Sequence, residues 1–202
     1  MGKKNIMALL AATLIGMSAQ AAELTTGSAA PEFKLTDTKG VEHSLSDFKG
    51  KFVVLEWINH GCPFVVKHYS SGNMQALQKE FTEKDVIWLS ICSSAEGKQG
   101  YMSNEEWNAT VAEKGAAPTA VLVDEDGTVG KAYNARTTPH MYVINPEGNL
   151  IYQGAIDDKK STDVEDIATS ENYVRSALNA AMAGEPVTTP QTQAYGCSVK
   201  YK

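Results

Sequence analysis

The sequence predicts an α/β protein with a central mixed sheet flanked by helices. Two runs, residues 52–58 and 86–91, are nearly continuous in apolar side chains, the pattern of strands buried on both faces. Helical spacing separates them, with Met74, Leu77 and Phe81 recurring at intervals of three and four. Residues 141–144 and 150–153 then face each other across Pro146-Glu147-Gly148 as an antiparallel hairpin. Strands that alternate with helices and end in a hairpin build a sheet with both parallel and antiparallel pairs.

Taken in order, residues 33–36 and 41–44 flank Asp37-Thr38-Lys39-Gly40 and read as a small N-terminal hairpin extension, with glycine supplying positive φ. Residues 45–48 make one helical turn that ends near Gly50. The run 52–58 is the first core strand, and Glu56 is its one acid. The stretch after Cys62-Pro63 is helical, with a kink or restart at Ser70-Ser71-Gly72-Asn73. Ser103 and Glu106 form a capping box that opens a helix carrying Trp107 and Val111. Residues 120–123 are a strand, and Asp126-Gly127 turns into a short helix near Tyr133. Val174, Ala177, Leu178, Ala181 and Met182 line one face of a last helix, closed by Gly184 and Pro186. The tail, 187–202, is polar and irregular.

The N-terminus reads as an export signal. Lys3 and Lys4 precede a short apolar run, and Ala19-Gln20-Ala21 supplies the small residues of a cleavage site. The apolar run is shorter than the ~20 residues a membrane-spanning helix needs. The expectation is a signal peptide over 1–21, one domain over 22–186 and a tail over 187–202, with a periplasmic location and no stable membrane insertion after cleavage. The chain carries 18 basic and 24 acidic side chains, a net charge of −6. Without a basic cluster, this balance argues against nucleic acid and anionic membrane surfaces as partners. Cys62, Cys92 and Cys197 are an odd set for an exported protein. Redox chemistry suits them better than a disulfide scaffold.

The chemistry concentrates in Asn59-His60-Gly61-Cys62-Pro63. A buried strand ends there, the chain turns through glycine, and proline takes the first helical position. Cys62 therefore sits near a helix N-cap, among unpaired N–H groups and the positive end of the dipole. That environment favours the thiolate, which is the nucleophile. Glu56, held among apolar neighbours six residues earlier, should have a raised pKa that suits a proton acceptor or donor, with a structural acid as the alternative. His60, His68 and His140 with Cys62 offer soft ligands for copper(I) or zinc. They are scattered in sequence, and no metal or organic cofactor is expected.

Further segments carry a resemblance. Ala30-Pro31-Glu32-Phe33, Leu45-Ser46-Asp47-Phe48-Lys49-Gly50-Lys51 and Val123-Asp124-Glu125-Asp126-Gly127 resemble the scaffold of the thioredoxin-like superfamily, in its redoxin (alkyl hydroperoxide reductase/thiol-specific antioxidant-like) branch. Asn59 to His68 and Gly196-Cys197-Ser198-Val199-Lys200 are similar to a peroxiredoxin-like subgroup of that branch. The resemblance implies a thioredoxin-like fold in which Thr138-Pro139 is the cis-proline site facing Cys62, where the preceding backbone pairs with substrate peptide. It implies that His140 lies near Cys62 and that Glu56 matches the buried acid of thioredoxins.

The same resemblance exposes departures. Val65 stands where thioredoxins have their second cysteine, and Asn59 stands where peroxiredoxins have a threonine. Arg136 is a candidate for the site arginine of the latter, but it fits a thioredoxin-type position before the cis-proline better. A resolving thiol must come from elsewhere. Cys92 ends a neighbouring strand, while Cys197 lies in a tail able to fold back over the site, and Cys197 is the favoured partner. The expected function is thiol–disulfide exchange in the periplasm, with Cys62, Cys197, Glu56, Thr138, Pro139 and His140 as the site and a thiol or disulfide protein as partner. The alternatives are reduction of a hydroperoxide substrate, and a non-catalytic module that binds a peptide or metal.

Overall fold

The computed structural model describes residues 24–202, so the signal peptide read over 1–21 lies outside the described residues. The N-terminal extension is a hairpin of β1 (Lys34–Thr36) and β2 (Glu42–Ser44), followed by a 3-10 turn over Leu45–Phe48. The core strand β3 (Val53–Trp57) is buried at every residue, as its apolar run requires. It runs into α1 (Pro63–Ser70) and α2 (Asn73–Thr82), which are separated at Gly72, where φ is 75° and glycine is the residue that tolerates it. Next come β4 (Ile87–Cys92), α3 (Asn104–Lys114), β5 (Ala120–Val123) and α4 (Thr128–Ala132). The two-residue β6 (Thr137–Thr138) precedes the hairpin of β7 (His140–Ile144) and β8 (Leu150–Gly154). A 3-10 turn at Val164–Thr169, α5 (Tyr173–Met182) and the two-residue β9 (Cys197–Ser198) complete the chain.

The sheet order is β5-β4-β3-β7-β8. β3 pairs parallel with β4 and antiparallel with β7, and β4 pairs parallel with β5, so the predicted mixed sheet is present. The capping box at Ser103 forms, with its side chain accepting from the Glu106 N–H. Alternation along the strands divides the core in two. Val54, Ile58, Met141 and Val143 join Cys62, Val65, Leu77, Phe81 and Leu178 on one face. Val53, Leu55, Trp57, Tyr142 and Ile144 pack with Tyr133 and Leu122 on the other. Each such fully buried aliphatic side chain contributes about 1.5–3 kcal/mol. Among the described residues no helix is long and apolar enough to cross a membrane.

The tail is more ordered than its polar composition predicts. Thr192 lies against β8, its N–H donating to the Gln153 carbonyl at 3.0 Å and its hydroxyl taking the Ala155 N–H at 2.9 Å. Farther on, β9 pairs antiparallel with β6, with Cys197 opposite Thr138. The Val199 N–H donates to the Arg136 carbonyl at 3.0 Å, and the Lys200 carbonyl accepts from the Ala95 N–H at 2.9 Å. The Tyr201 hydroxyl reaches the Ala135 carbonyl at 2.7 Å. A segment with no apolar period is thus fixed by individual hydrogen bonds to the body.

Candidate active site

Cys62 is the N-cap of α1, in extended conformation with φ −88° and ψ 124°, and Pro63 opens the helix. The turn before it is held by Asn59, whose Oδ1 accepts from the Gly61 N–H at 2.8 Å and whose Nδ2 donates to the Gln99 carbonyl at 3.1 Å. Cys62 is 0% exposed. Its thiol donates to the Thr138 carbonyl at 3.0 Å, and its Sγ lies 3.4 Å from the Cys197 N–H. Burial works against a thiolate here, but hydrogen bonds from the Cys197 thiol and amide and from the Val65 amide outweigh it and hold Cys62 below the ordinary thiol value. The partner moves the opposite way. Burial, then the hydrogen bond and charge of Cys62, push Cys197 up to about 11.

The Thr138–Pro139 bond is cis, and it places the Thr138 carbonyl over Cys62. Thr138 is buried, and its hydroxyl has no hydrogen-bond partner among the described residues. β6 and β9 bring Cys197 onto this backbone, and Gly196 allows the approach. A Cβ at Gly196 would fall 2.0 Å from the Thr138 oxygen. Cys62, Thr138, Pro139 and Cys197 therefore form one cluster, drawn from the end of β3, the loop before β7 and the tail. Cys92 stands apart, its thiol donating to the Gly100 carbonyl at 3.5 Å, and burial raises its pKa.

Glu56 lies one layer deeper, on the sheet face that Cys62 covers. It is wholly buried and accepts from Trp88 Nε1 at 2.8 Å, Tyr69 OH at 2.9 Å, Ser90 Oγ at 3.0 Å and Gln78 Nε2 at 3.1 Å. Burial raises its pKa, and these four bonds pull in the opposite direction without restoring the usual value. All four partners are neutral, and none of them is Cys62. The His140 ring lies on the opposite face from Cys62. β7 pairs Trp57 with His140, and the ring packs on Tyr142 with centroids 4.6 Å apart. His140 is close to Cys62 along the backbone, but its side chain points away from it. Burial, helped by Arg136, lowers its pKa to about 4, so the ring is neutral at pH 7.

The other side chains considered for metal do not converge. His60 packs against Tyr69 and Trp107, and burial lowers its pKa to about 4. Among the described residues no group of three or more histidine, cysteine or carboxylate side chains could hold a metal ion. Arg136 bonds the Asn134 side chain at 3.0 Å and Arg175 bonds Glu80 at 3.0 Å, so neither guanidinium serves Cys62.

One buried cluster went unread in the sequence. Lys67 of α1 is 1% exposed, and its Nζ donates to the Lys159 carbonyl at 3.1 Å and lies 3.5 Å from Asp157. The same carboxylate takes a short hydrogen bond from the Tyr195 hydroxyl and lies 3.7 Å from His68 Nε2. The cluster ties the helix that Cys62 caps to the tail that carries Cys197. The sequence signal was a Lys-His pair inside an otherwise apolar helical turn, but the partner residue is 90 positions away.

A buried, thiolate-favouring cysteine at a helix N-cap facing a cis-proline backbone defines a thioredoxin-fold thiol site. The chain belongs to the AhpC/TSA family, whose model matches residues 26–153. The tail lies outside that match. The chain is 27% identical over 135 residues to thiol-disulfide oxidoreductase ResA of Bacillus subtilis (strain 168), an alignment covering 63% of this chain and 66% of the relative. It is 30% identical over 127 residues to the protein of that name from Geobacillus kaustophilus (strain HTA426), covering 63% of this chain and 67% of the relative. The match thus spans about two thirds of the length of these curated relatives. Among solved structures, an uncharacterized conserved protein from Geobacillus kaustophilus superposes with a TM-score of 0.76 at 30% identity, over 90% of this chain and 94% of its own. A hypothetical protein from Sinorhizobium meliloti 1021 gives 0.74 at 26% identity, over 89% and 96%.

Proposed function

We propose that the protein is an exported, periplasmic thiol–disulfide oxidoreductase that cycles between a Cys62–Cys197 disulfide and the dithiol. The observation that carries this reading is the meeting of Cys197 with Cys62, with the thiol and amide of one residue both bonded to the Sγ of the other. Val65 removes the usual second cysteine from α1, and the tail supplies a thiol at the same sulfur by another route. In the reduced pair one proton is shared unequally, with Cys62 as the readier thiolate and Cys197 holding its proton. Cys62 attacks a disulfide sulfur or other oxidant, and Cys197 resolves the product into the internal disulfide. Thr138 and Pro139 orient the exchange through the Thr138 carbonyl. Glu56 supports the layer beneath Cys62, and His140 contributes through its place after Pro139. The names of the ResA relatives agree with this chemistry, and the partner is a thiol or disulfide protein.

Mass mapping of the oxidised protein tests the pairing. A peptide joining Cys62 to Cys197 is expected, and a Cys62–Cys92 peptide would overturn it. Cys62→Ser should abolish exchange, by about 100-fold or more, because it removes the nucleophile.

A hydroperoxide substrate is the second reading, favoured by the complete burial of Cys62, which only a small oxidant reaches without moving the tail. Against it, Asn59 is spent on holding the Gly61 turn, and both arginines are engaged elsewhere. Rapid labelling of Cys62 by dimedone on peroxide addition, ahead of disulfide formation, would select this reading.

A further inference from the structure

We infer that a reducing thiol enters the oxidised protein at the sulfur of Cys197 and expels Cys62, so that the tail cysteine carries the mixed disulfide with the partner. The inference rests on the Cys62–Cys197 pair proposed above and concerns which of its two sulfurs meets the outside. Cys62 is wholly buried, whereas Cys197 is partly exposed. The two residues are already in contact, with the Cys197 N–H 3.4 Å from the Cys62 sulfur.

The tail itself covers Cys62. Its backbone occupies the Thr137–Thr138 edge through the β6–β9 ladder. Gly196 is pressed so closely on the Thr138 carbonyl that no side chain fits there. Anchors flank the cover on both sides. Before Cys197, the Tyr195 hydroxyl is bonded to the buried Asp157 and its ring packs on Phe64, with centroids 5.7 Å apart. After it come the Val199 and Tyr201 bonds to 135–136 and the Lys200 carbonyl accepting from Ala95. Uncovering Cys62 requires the β6–β9 ladder to open. Cys197 is partly exposed with the ladder in place.

The electrons follow the same route. A partner thiolate attacks the Cys197 sulfur, the Cys62–Cys197 bond breaks, and its electron pair leaves on Cys62 as a thiolate. A second thiol of the same partner, as thiolate, then attacks the partner sulfur of the mixed disulfide and releases Cys197, which takes up a proton. A dithiol is oxidised to a disulfide and the protein disulfide is reduced, two electrons having passed. Exchange is faster when the sulfur expelled is the more acidic one. Once Cys197 carries the partner its thiol proton is gone, but the Cys197 and Val65 amides still face the Cys62 sulfur, so attack on Cys197 expels a thiolate that these N–H groups stabilise.

The test uses the full chain with Cys92→Ser, to leave only the pair. Oxidised protein is first mapped for the Cys62–Cys197 peptide; its absence would overturn the pairing itself, a different failure from the one that follows. Excess glutathione is then added, the reaction is quenched with acid at short times, free thiols are alkylated, and the two mixed disulfides are quantified by mass and extrapolated to zero time. Glutathione on Cys197 is expected to exceed glutathione on Cys62 by about tenfold or more. Equal amounts, an excess on Cys62, or reduction with no adduct on Cys197 at any time would overturn the inference. Gly196→Ala, which lifts the cover, should move the ratio toward Cys62. An unchanged ratio in that variant would show that the tail does not select the sulfur.

Discussion

The body and the tail of this protein reach order by different physics. In the body, β3 and β7 are buried along nearly their whole length, and the sheet is sealed on both faces by apolar side chains. Its main buried polar centre, Glu56, is closed by four neutral donors. The tail contributes few buried apolar groups, Tyr195 among them, and is held by separate bonds at Thr192, Tyr195, Cys197, Val199, Lys200 and Tyr201. Each such bond is worth about 0.5–1.5 kcal/mol net, so the tail can be loosened piece by piece while the body unfolds as a unit. The proposed pair joins the two regions, with Cys62 in the body and Cys197 in the tail.

Substitutions in the two regions should therefore give different signatures. The largest effect belongs to the body. Glu56→Ala leaves the Trp88, Tyr69, Ser90 and Gln78 donors without their acceptor, and should cost about 3 kcal/mol or more of unfolding free energy in denaturant titrations. Glu56 also gives the body a pH signature. Its folded pKa is raised above 4.5, so the folded state keeps this proton when the unfolded state has lost it. Its contribution to stability therefore falls as pH rises from 4.5 through the folded value, and acidification within that window recovers it. Glu56→Gln should remove that slope. The same variant should leave the pH profile of Cys62 alkylation unchanged; a shifted profile would mean that Glu56 exchanges protons with the site.

In the tail, Gly196→Ala forces its Cβ onto the Thr138 carbonyl. Alkylation of Cys62 by iodoacetamide should accelerate about tenfold, with a stability loss near 1–2 kcal/mol, since a ladder of two residues is lost and no core is opened. A loss as large as that of Glu56→Ala would erase the distinction between the regions. Cys197→Ala should raise the pH midpoint of Cys62 alkylation toward the ordinary value of 9.0, because the side-chain donor to the thiolate is removed. A midpoint that stays or falls would show that the N-terminus of α1 sets Cys62 alone. The smallest change in Cys62 reactivity is Tyr195→Phe, which deletes one anchor at the buried Asp157 and should speed alkylation about threefold at a stability cost of about 1–3 kcal/mol.

What the sequence determined by itself was whatever depends on local pattern. Apolar runs marked β3 and β4, capping marked α3, and glycine, cysteine and proline in succession placed Cys62 at the start of α1. These are interactions of near neighbours, so a one-dimensional reading reaches them. The tail's composition gave no period to read, and its course over the site follows from bonds to residues far away in the chain. The same holds for Lys67 with Asp157 and Tyr195, where a charged residue is buried only because distant partners meet it. His140 shows the limit most simply. Adjacency to Pro139 placed it beside Cys62, but strand alternation turned its ring to the other face. The sequence favoured Cys197 over Cys92, and tertiary structure decided that Cys197 is the thiol that meets Cys62. Pairing of β6 with β9 and the missing side chain at Gly196 bring Cys197 onto that sulfur, and neither is a property of any short stretch of sequence.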